Sequence, residues 1–126
     1  MPDSLDLLKG KRRQGSVVNI AAAGNANGTA VLTLSTYTGM VGAKTLVIKR
    51  IMIRNNGAGN TYVHIGTGAA GSIVDAVPAL YSISGFTDVY PEDNVPQVEL
   101  NATIMAYSDA VGGGSFDIQV EAEERG

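Results

Sequence analysis

Three glycines follow an apolar run in the middle of the chain, and their spacing is that of a phosphate-binding turn. Gly66, Gly68 and Gly71 in VHIGTGAAGSIVDAVP (63–78) form the pattern Gly-x-Gly-x-x-Gly directly after a predicted strand. In a dinucleotide-binding unit, such glycines let the backbone approach a pyrophosphate at the N-terminus of a following helix. Pro78 would end any helix here after about two turns. The sequence therefore predicts a glycine-shaped loop, with no bound NAD, FAD or nucleotide.

The remaining residue types with catalytic or metal-binding chemistry do not form a recognisable constellation. His64 is the only histidine, and it lies on the polar side of its strand, where we expect a surface histidine without the further imidazoles of a metal site. The chain has no cysteine and no Gly-x-Ser-x-Gly elbow. Asp88, Glu92 and Asp93 match no calcium loop and are read as an acidic turn. We therefore assign no catalytic residue, no metal ligand and no cofactor, and predict that the chain is not an enzyme.

Period-two alternation of apolar and polar residues predicts the secondary structure. It runs over 98–106 and again over 116–123, with a glycine-rich loop at 109–114 between them. We predict that these two strands form a hairpin, and that 18–20 with 31–34, and 51–53 with 63–65, form two more. Eight or nine short strands in a chain of this size indicate an all-β antiparallel β-sandwich, jelly-roll-like in its connections.

Two further details of the chain bear on the strands. Only Ser4 to Lys9 and Ala70 to Val77 have helical spacing, and both segments are too short to cover a sheet. The apolar phase shifts between 46–48 and 51–53, which predicts either a β-bulge at Lys49 and Arg50 or a strand that changes neighbours there, with both charges facing solvent.

Length and composition indicate one ordered domain. The 126 residues are 44% hydrophobic and 17% charged, with a formal net charge of -3. No secretory signal or membrane-spanning run is found, so the sequence predicts a soluble protein made without an export signal and without a membrane partner. We place a single β-sandwich domain at 15–126, after a basic N-terminal arm at 1–14.

Charge is distributed unevenly between the two ends of the chain. Basic residues cluster at Lys9, Lys11, Arg12 and Arg13, whereas the C-terminus is acidic at 121–124. The basic run is either a solvated tail or an arm that grips an acidic surface or a neighbouring subunit. Nucleic acid is not expected as a partner, because the body is acidic and no aromatic residues are interleaved with the basic ones. Lys9, Lys11, Arg12 and Arg13 are therefore the candidate partner-binding residues, and the core strands are expected to begin near Val17.

Several stretches together resemble the small β-rich structural proteins of tailed bacteriophages. They are the charged arm, VIKRIMIRNNGAGNTYVHIGTG (47–68), VPQVELNATIMAYS (95–108) and GSFDIQVEAEE (114–124). The chain resembles head decoration, or cement, proteins in particular. The resemblance implies a jelly-roll body, commonly a homotrimer, on the outside of a virion. There it would clamp adjacent subunits of the major capsid protein, after synthesis in the host cytoplasm. It transfers no individual binding residue.

Two other functions stay open on the sequence. One is a small ligand-binding or carbohydrate-binding β-sandwich, although the chain has no tryptophan, two phenylalanines and five tyrosines to form aromatic platforms. The other is a tail-associated phage adaptor with the same body.

Overall fold

The structure, a computed structural model, describes residues 11–33, 45–109 and 115–125. The strands of sheet A are β1 (Lys11–Gln14), β2 (Val18–Ile20), β4 (Thr45–Asn55), β8 (Thr87–Tyr90), β9 (Glu99–Leu100) and β11 (Phe116–Arg125). Those of sheet B are β3 (Thr29–Leu32), β5 (Thr61–Thr67), β6 (Val74–Asp75), β7 (Leu80–Ser82) and β10 (Ile104–Ser108). Short 3₁₀ helices lie at Asn25–Asn27 and Glu92–Asn94. Within these described ranges, no helix has the length and apolar character needed to span a membrane.

The two antiparallel sheets form a β-sandwich with the strand order of a jelly roll. Strands β1 and β2 both pair with β11, β8 and β9 both pair with β4, and β6 and β7 both pair with β5. The two short strands of each such pair therefore form one strand position of the sandwich, with an interruption between them. This leaves eight strand positions, which we number in chain order. Sheet A then has the order 1-8-3-6 and sheet B the order 2-7-4-5, which is the jelly-roll order. The predicted all-β sandwich is confirmed.

Alternating apolar side chains from both sheets fill the space between them. In β11 every second residue from Phe116 to Ala122 is buried, and the same alternation appears in β10 and in the first half of β5. Phe116, Ile118 and Val120 of sheet A face the core that Val63, Ile65 and Ile104 of sheet B complete. The opposite side of each strand faces outward, and the residues of the candidate site lie there.

All three predicted hairpins are wrong, and for the same reason. Strand β10 belongs to sheet B and β11 to sheet A, so the two strands do not pair. The predicted pairs β2 with β3 and β4 with β5 are likewise divided between the sheets. Alternation identifies which side of a strand is buried, but two consecutive strands show the same pattern whether they pair or face each other across the core. The connection at 110–114 lies outside the described residues.

Two predicted elements also differ from the structure. The alternating segment 98–106 is not one strand, because β9 pairs in sheet A and β10 in sheet B, with the change of sheet at 101–103. Ala70 to Val77, which has helical spacing, forms a turn followed by β6. The other predicted helix, Ser4 to Lys9, lies outside the described residues.

The bulge in β4 is confirmed, and β4 also changes its neighbour from β9 to β8 across it, but the exposure expected for Lys49 is wrong. Opposite β11, the pairing passes from Ile48 with Ala122 directly to Arg50 with Glu121, so Lys49 is the extra residue. Lys49 is only 7% exposed. Its ammonium group lies 3.0 Å from a carboxylate oxygen of Glu92 and donates to Gln97 Oε1. A buried cation requires such partners, and here the chain itself provides them.

The sheet begins earlier than the periodicity predicts. Lys11–Gln14 form the edge strand β1, which pairs antiparallel with β11, whereas the sequence places the first strand near Val17. Strand β1 consists of charged and polar residues, so it lacks the apolar alternation by which a strand is recognised in the sequence. Residues 1–10 of the predicted arm lie outside the described residues.

Candidate functional site

The glycine motif forms the loop that joins β5 to β6, and the side chain of Asn25 holds it closed. Asn25 Oδ1 accepts hydrogen bonds from the backbone N–H groups of Gly71 (3.1 Å) and Ile73 (2.9 Å), and its Nδ2 donates to the Ile73 carbonyl at 3.0 Å. Backbone N–H groups that would cradle a phosphate are thus bound to the protein itself, and β6 follows where a dinucleotide fold has a helix.

Each glycine of the motif meets a different local constraint. A Cβ on Gly66 would lie 1.8 Å from the carbonyl oxygen of Val74, because β6 passes directly over this position. Gly68 and Gly71 have φ angles of 120° and 94°, in the region that favours glycine. The motif is therefore explained by strand packing and turn geometry.

The outer surface of sheet B carries an aromatic patch, which we call the tyrosine face. It comprises Tyr62, His64, Asp75, Tyr81, Tyr107 and Asp109. Strand register brings these residues together, since Tyr62 pairs with Tyr81 on one side and His64 pairs with Tyr107 on the other. Tyr62 and Tyr81 are each 48% exposed. Their ring centroids are 5.1 Å apart at an interplanar angle of 59°.

His64 lies at the centre of this face, between two carboxylates. Its Nδ1 is 2.9 Å from Asp75 Oδ2, and its Nε2 is 2.8 Å from Asp109 Oδ1. The imidazole is stacked on the ring of Tyr107, with centroids 4.5 Å apart and planes within 9°. The His64 side chain is 15% exposed, against 38% for Asp75 and 42% for Asp109. The expected surface histidine is therefore largely covered, and the two carboxylates remain accessible beside it.

This geometry favours the protonated form of His64. A neutral imidazole has one donor and one acceptor nitrogen, so it can donate to only one of two carboxylates. A carboxylate oxygen on each side therefore favours the imidazolium form, which donates through both nitrogens. Burial by itself lowers the pKa of His64, but the hydrogen bonds and negative charges of Asp75 and Asp109 outweigh it, and the pKa lies above its ordinary value.

His64, Asp75 and Asp109 form a charged cluster in which neither ring nitrogen of His64 is available to activate a nucleophile. In a catalytic triad, one imidazole nitrogen contacts the acid and the other contacts the attacking hydroxyl. Here both nitrogens contact acids. The two carboxylates lie on opposite sides of the ring and do not converge on one point, and the part of the chain that is described contains no cluster of His, Asp or Glu suited to a metal ion.

The outer surface of sheet A is different in character, since it is covered by charges of both signs. Arg54 is paired in register with Asp117, and Arg50 with Glu121. Asn19 and Asn56 donate to the Asp117 carboxylate and lower its pKa. Every described Lys and Arg belongs to this sheet, at Lys11, Arg12, Arg13, Lys49, Arg50, Arg54 and Arg125. The tyrosine face therefore has carboxylates but no Lys or Arg among its described residues.

The structure places the candidate partner-binding residues at the edge of sheet A, away from the tyrosine face. Arg12 lies 3.4 Å from Glu121 and 3.5 Å from Glu92. Arg13 lies 3.0 Å from Glu124 and also donates to the Thr33 carbonyl at 2.6 Å. The backbone of Lys11 is opposite Glu124, and Lys9 lies outside the described residues. The oppositely charged ends of the chain thus neutralise each other across β1 and β11.

The acidic turn considered for calcium is only partly a turn, because Asp88 lies in strand β8 opposite Ile53, whereas Glu92 and Asp93 lie in the short 3₁₀ helix. Glu92 has a pKa below its ordinary value, because Lys49 forms a hydrogen bond with the carboxylate and carries a positive charge beside it. Glu92 also contacts Arg12, so it joins β1 to the bulge of β4. A carboxylate that is shared by two cations of its own chain is not a free ligand.

An apolar cleft of about 170 Å³ lies at the side of the sandwich. It is lined by Ile51, Val77, Pro78, Leu80, Tyr90, Asn94, Val95 and Pro96. Drug-sized ligands occupy pockets of roughly 300 to 1,000 Å³, so this cleft is small for a ligand-binding site.

Sequence reasoning identified His64 but missed the residues around it. Tyr62 and His64, like Tyr107 and Asp109, are two positions apart and so share one side of a strand or its continuation. That signal is available in the sequence. The approach of Asp75 and Asp109 to His64 is not, because it depends on β6 and β10 lying on either side of β5.

No protein-family model matches the chain, and comparison with curated proteins gives no match. The functional conclusion accordingly rests on the residues and geometry above.

Proposed function

We propose that this chain is a non-enzymatic virion structural protein that binds the outer surface of a phage capsid and stabilises the shell by clamping adjacent capsid subunits. The observation that carries the proposal is the difference between the two outer faces. Most cations of sheet A whose side chains are described form ion pairs with carboxylates of the same chain, whereas sheet B presents three tyrosines and no described Lys or Arg. Protein interfaces are enriched in tyrosine and depleted in lysine in this way.

The fold supports the same proposal without establishing it, since one fold serves many functions. Strands β5, β7 and β10 of sheet B hold the tyrosine rings in fixed positions, so little conformational entropy is lost on binding. A homotrimer would present three copies of the face at high effective concentration, and weak individual contacts would then give durable attachment. Lys9, Lys11, Arg12 and Arg13 keep a proposed second role in attachment, as part of an edge strand and the segment before it.

Co-sedimentation with capsids tests the attachment. We expect the wild-type protein to sediment with shells of the major capsid protein and to raise their melting temperature. The double variant Tyr62→Ala with Tyr81→Ala should bind at least about tenfold more weakly, since truncating a central aromatic contact costs about 1 to 2 kcal/mol or more. Val89→Ala, which changes an equally exposed side chain on sheet A, is the control. Equal binding by the double variant and the wild type would reject the tyrosine face as the attachment surface.

Carbohydrate binding is the second candidate, and one observation favours it. Asn60 Nδ2 donates to the hydroxyl of Tyr81 at 3.0 Å, which places an amide next to two exposed rings. The rings are tilted by 59° and so do not form a flat double platform, which is why we place this function second. A glycan array separates the two candidates: specific glycan binding that is lost in the Tyr62 and Tyr81 variants, with no capsid binding, would favour the carbohydrate module.

A further inference from the structure

The environment of His64 on the tyrosine face is one that suits a planar cation. The imidazolium is a planar cation that is stacked on the Tyr107 ring and hydrogen-bonded to a carboxylate on each side. Arginine side chains are recognised by the same elements, since a guanidinium stacks on aromatic rings and pairs with carboxylates.

We propose that the tyrosine face docks a partner protein through arginine or lysine side chains, and that His64 competes with these side chains for Asp75 and Asp109. This inference rests on the proposed function, in which the same face attaches the protein to its partner. It adds the chemistry of the partner surface and a dependence on pH.

Charge complementarity supports a basic partner. Asp75 and Asp109 are about 40% exposed, at 38% and 42%, although each already contacts His64 through one oxygen. No Lys or Arg lies on the described part of sheet B, and among the described residues His64 is the basic side chain that forms ion pairs with these carboxylates. Tyr62 and Tyr81 add two half-exposed rings for cation–π contacts.

His64 makes the docking dependent on pH. The groups that face it are Asp75 after the glycine loop, Asp109 at the end of β10, and the phenol of Tyr107. Burial and the charge of Asp75 raise the pKa of Tyr107, so that phenol stays neutral. While His64 is protonated, it neutralises part of the negative charge. When it loses its proton, the full charge of both carboxylates becomes available to an external cation, so docking strengthens as pH rises.

A tetra-arginine peptide is a suitable probe, with a tetra-citrulline peptide of equal length as the neutral control. We would measure its Kd at about pH 5.5 and about pH 8.5, on either side of the ordinary histidine pKa of about 6.5. The affinity of the wild-type protein should rise at least about fivefold at the higher pH, the lower limit of typical coupling between sites. His64→Gln should bind tightly at both pH values, and Asp75→Asn with Asp109→Asn should bind weakly at both. Asp93→Asn, the same charge change outside the face, should behave as wild type.

The reciprocal effect gives a second readout that does not depend on affinity. Since His64 is the only histidine, its ring proton signals in NMR are unambiguous. Bound peptide should lower the pKa of His64, because binding and deprotonation are linked. A peptide affinity that is independent of pH and of Asp75 and Asp109, or a His64 pKa that peptide does not change, would overturn the inference.

The two proposals can fail separately. Capsid binding that depends on Tyr62 and Tyr81 but not on pH or on Asp75 and Asp109 would reject the basic partner and leave the attachment function in place. Peptide binding as described, without any binding to capsids, would reject the capsid function and support the basic-partner site.

Discussion

Replacing Gly66 by alanine tests whether the glycine motif serves packing. The added Cβ would lie 1.8 Å from the Val74 carbonyl oxygen, 2.6 Å from the Val74 carbonyl carbon and 3.0 Å from Asp75 Cα. All three neighbours are backbone atoms of β6 and cannot turn aside as a side chain does. Strand β6 must therefore move away from β5 by more than 1 Å to restore ordinary van der Waals distances of about 3.5 Å.

The cost follows from the hydrogen bonds that such a movement breaks. Strand β6 is held by its ladder to Gly66 and Thr67 and by the Ala76 N–H, which donates to the Ile65 carbonyl at 2.9 Å. Losing two or three of these bonds, each worth about 1 kcal/mol, should lower the free energy of unfolding by about 2 to 3 kcal/mol. Displacement of Asp75 from His64 should also lower the pKa of His64 toward its ordinary value.

Gly71→Ala is the matched control, because a Cβ there meets no atom within 4 Å. Its φ of 94° leaves only backbone strain, about 1 to 2 kcal/mol. Urea unfolding gives the stability of both variants, and an NMR titration gives the pKa of His64. A Gly66→Ala variant no less stable than Gly71→Ala, with an unchanged His64 titration, would refute the account of this loop.

Three further predictions concern His64, strand β1 and Lys49. Because the pKa of His64 is raised in the folded state, its contribution to stability is complete below about pH 6.5 and is lost as pH rises through the folded-state pKa. In urea unfolding across this range, the free energy of unfolding should decline less for His64→Gln than for the wild type. An equal decline would contradict the raised pKa of His64. Deletion of residues 1–14 removes β1 and its hydrogen bonds to β11, whereas deletion of residues 1–10 leaves β1 in place. The longer deletion should therefore have a free energy of unfolding at least about 1 kcal/mol lower than the shorter one. Identical melting curves for the two variants would show that β1 contributes no stability. Lys49→Met should leave stability within about 1 kcal/mol of wild type, because the remaining carboxylate of Glu92 is 47% exposed and keeps Arg12 as a partner, so no buried charge is left unpaired. A loss above about 3 kcal/mol in chemical denaturation would show that the ion pair is essential.

The sequence by itself determined the fold class and the inner face of most strands. Period-two alternation in 116–122 and at Ile104 and Ala106 depends only on which side chains avoid water, and the structure buries these positions as predicted. The bulge at Lys49 was also readable, because an extra residue reverses the apolar phase within a single strand. These features are local properties of one strand.

Only the tertiary structure decided which strands are neighbours. Consecutive strands alternate between the two sheets of the jelly roll, so the pairing that a hairpin pattern predicts never forms between β4 and β5 or between β10 and β11. The same pairing decided the site. Asp75 and Asp109 reach His64 because β6 and β10 flank β5, and Arg13 reaches Glu124 because the two ends of the chain pair as β1 and β11. Contacts between residues that are distant in the chain depend on strand order, which local hydrophobic periodicity does not encode.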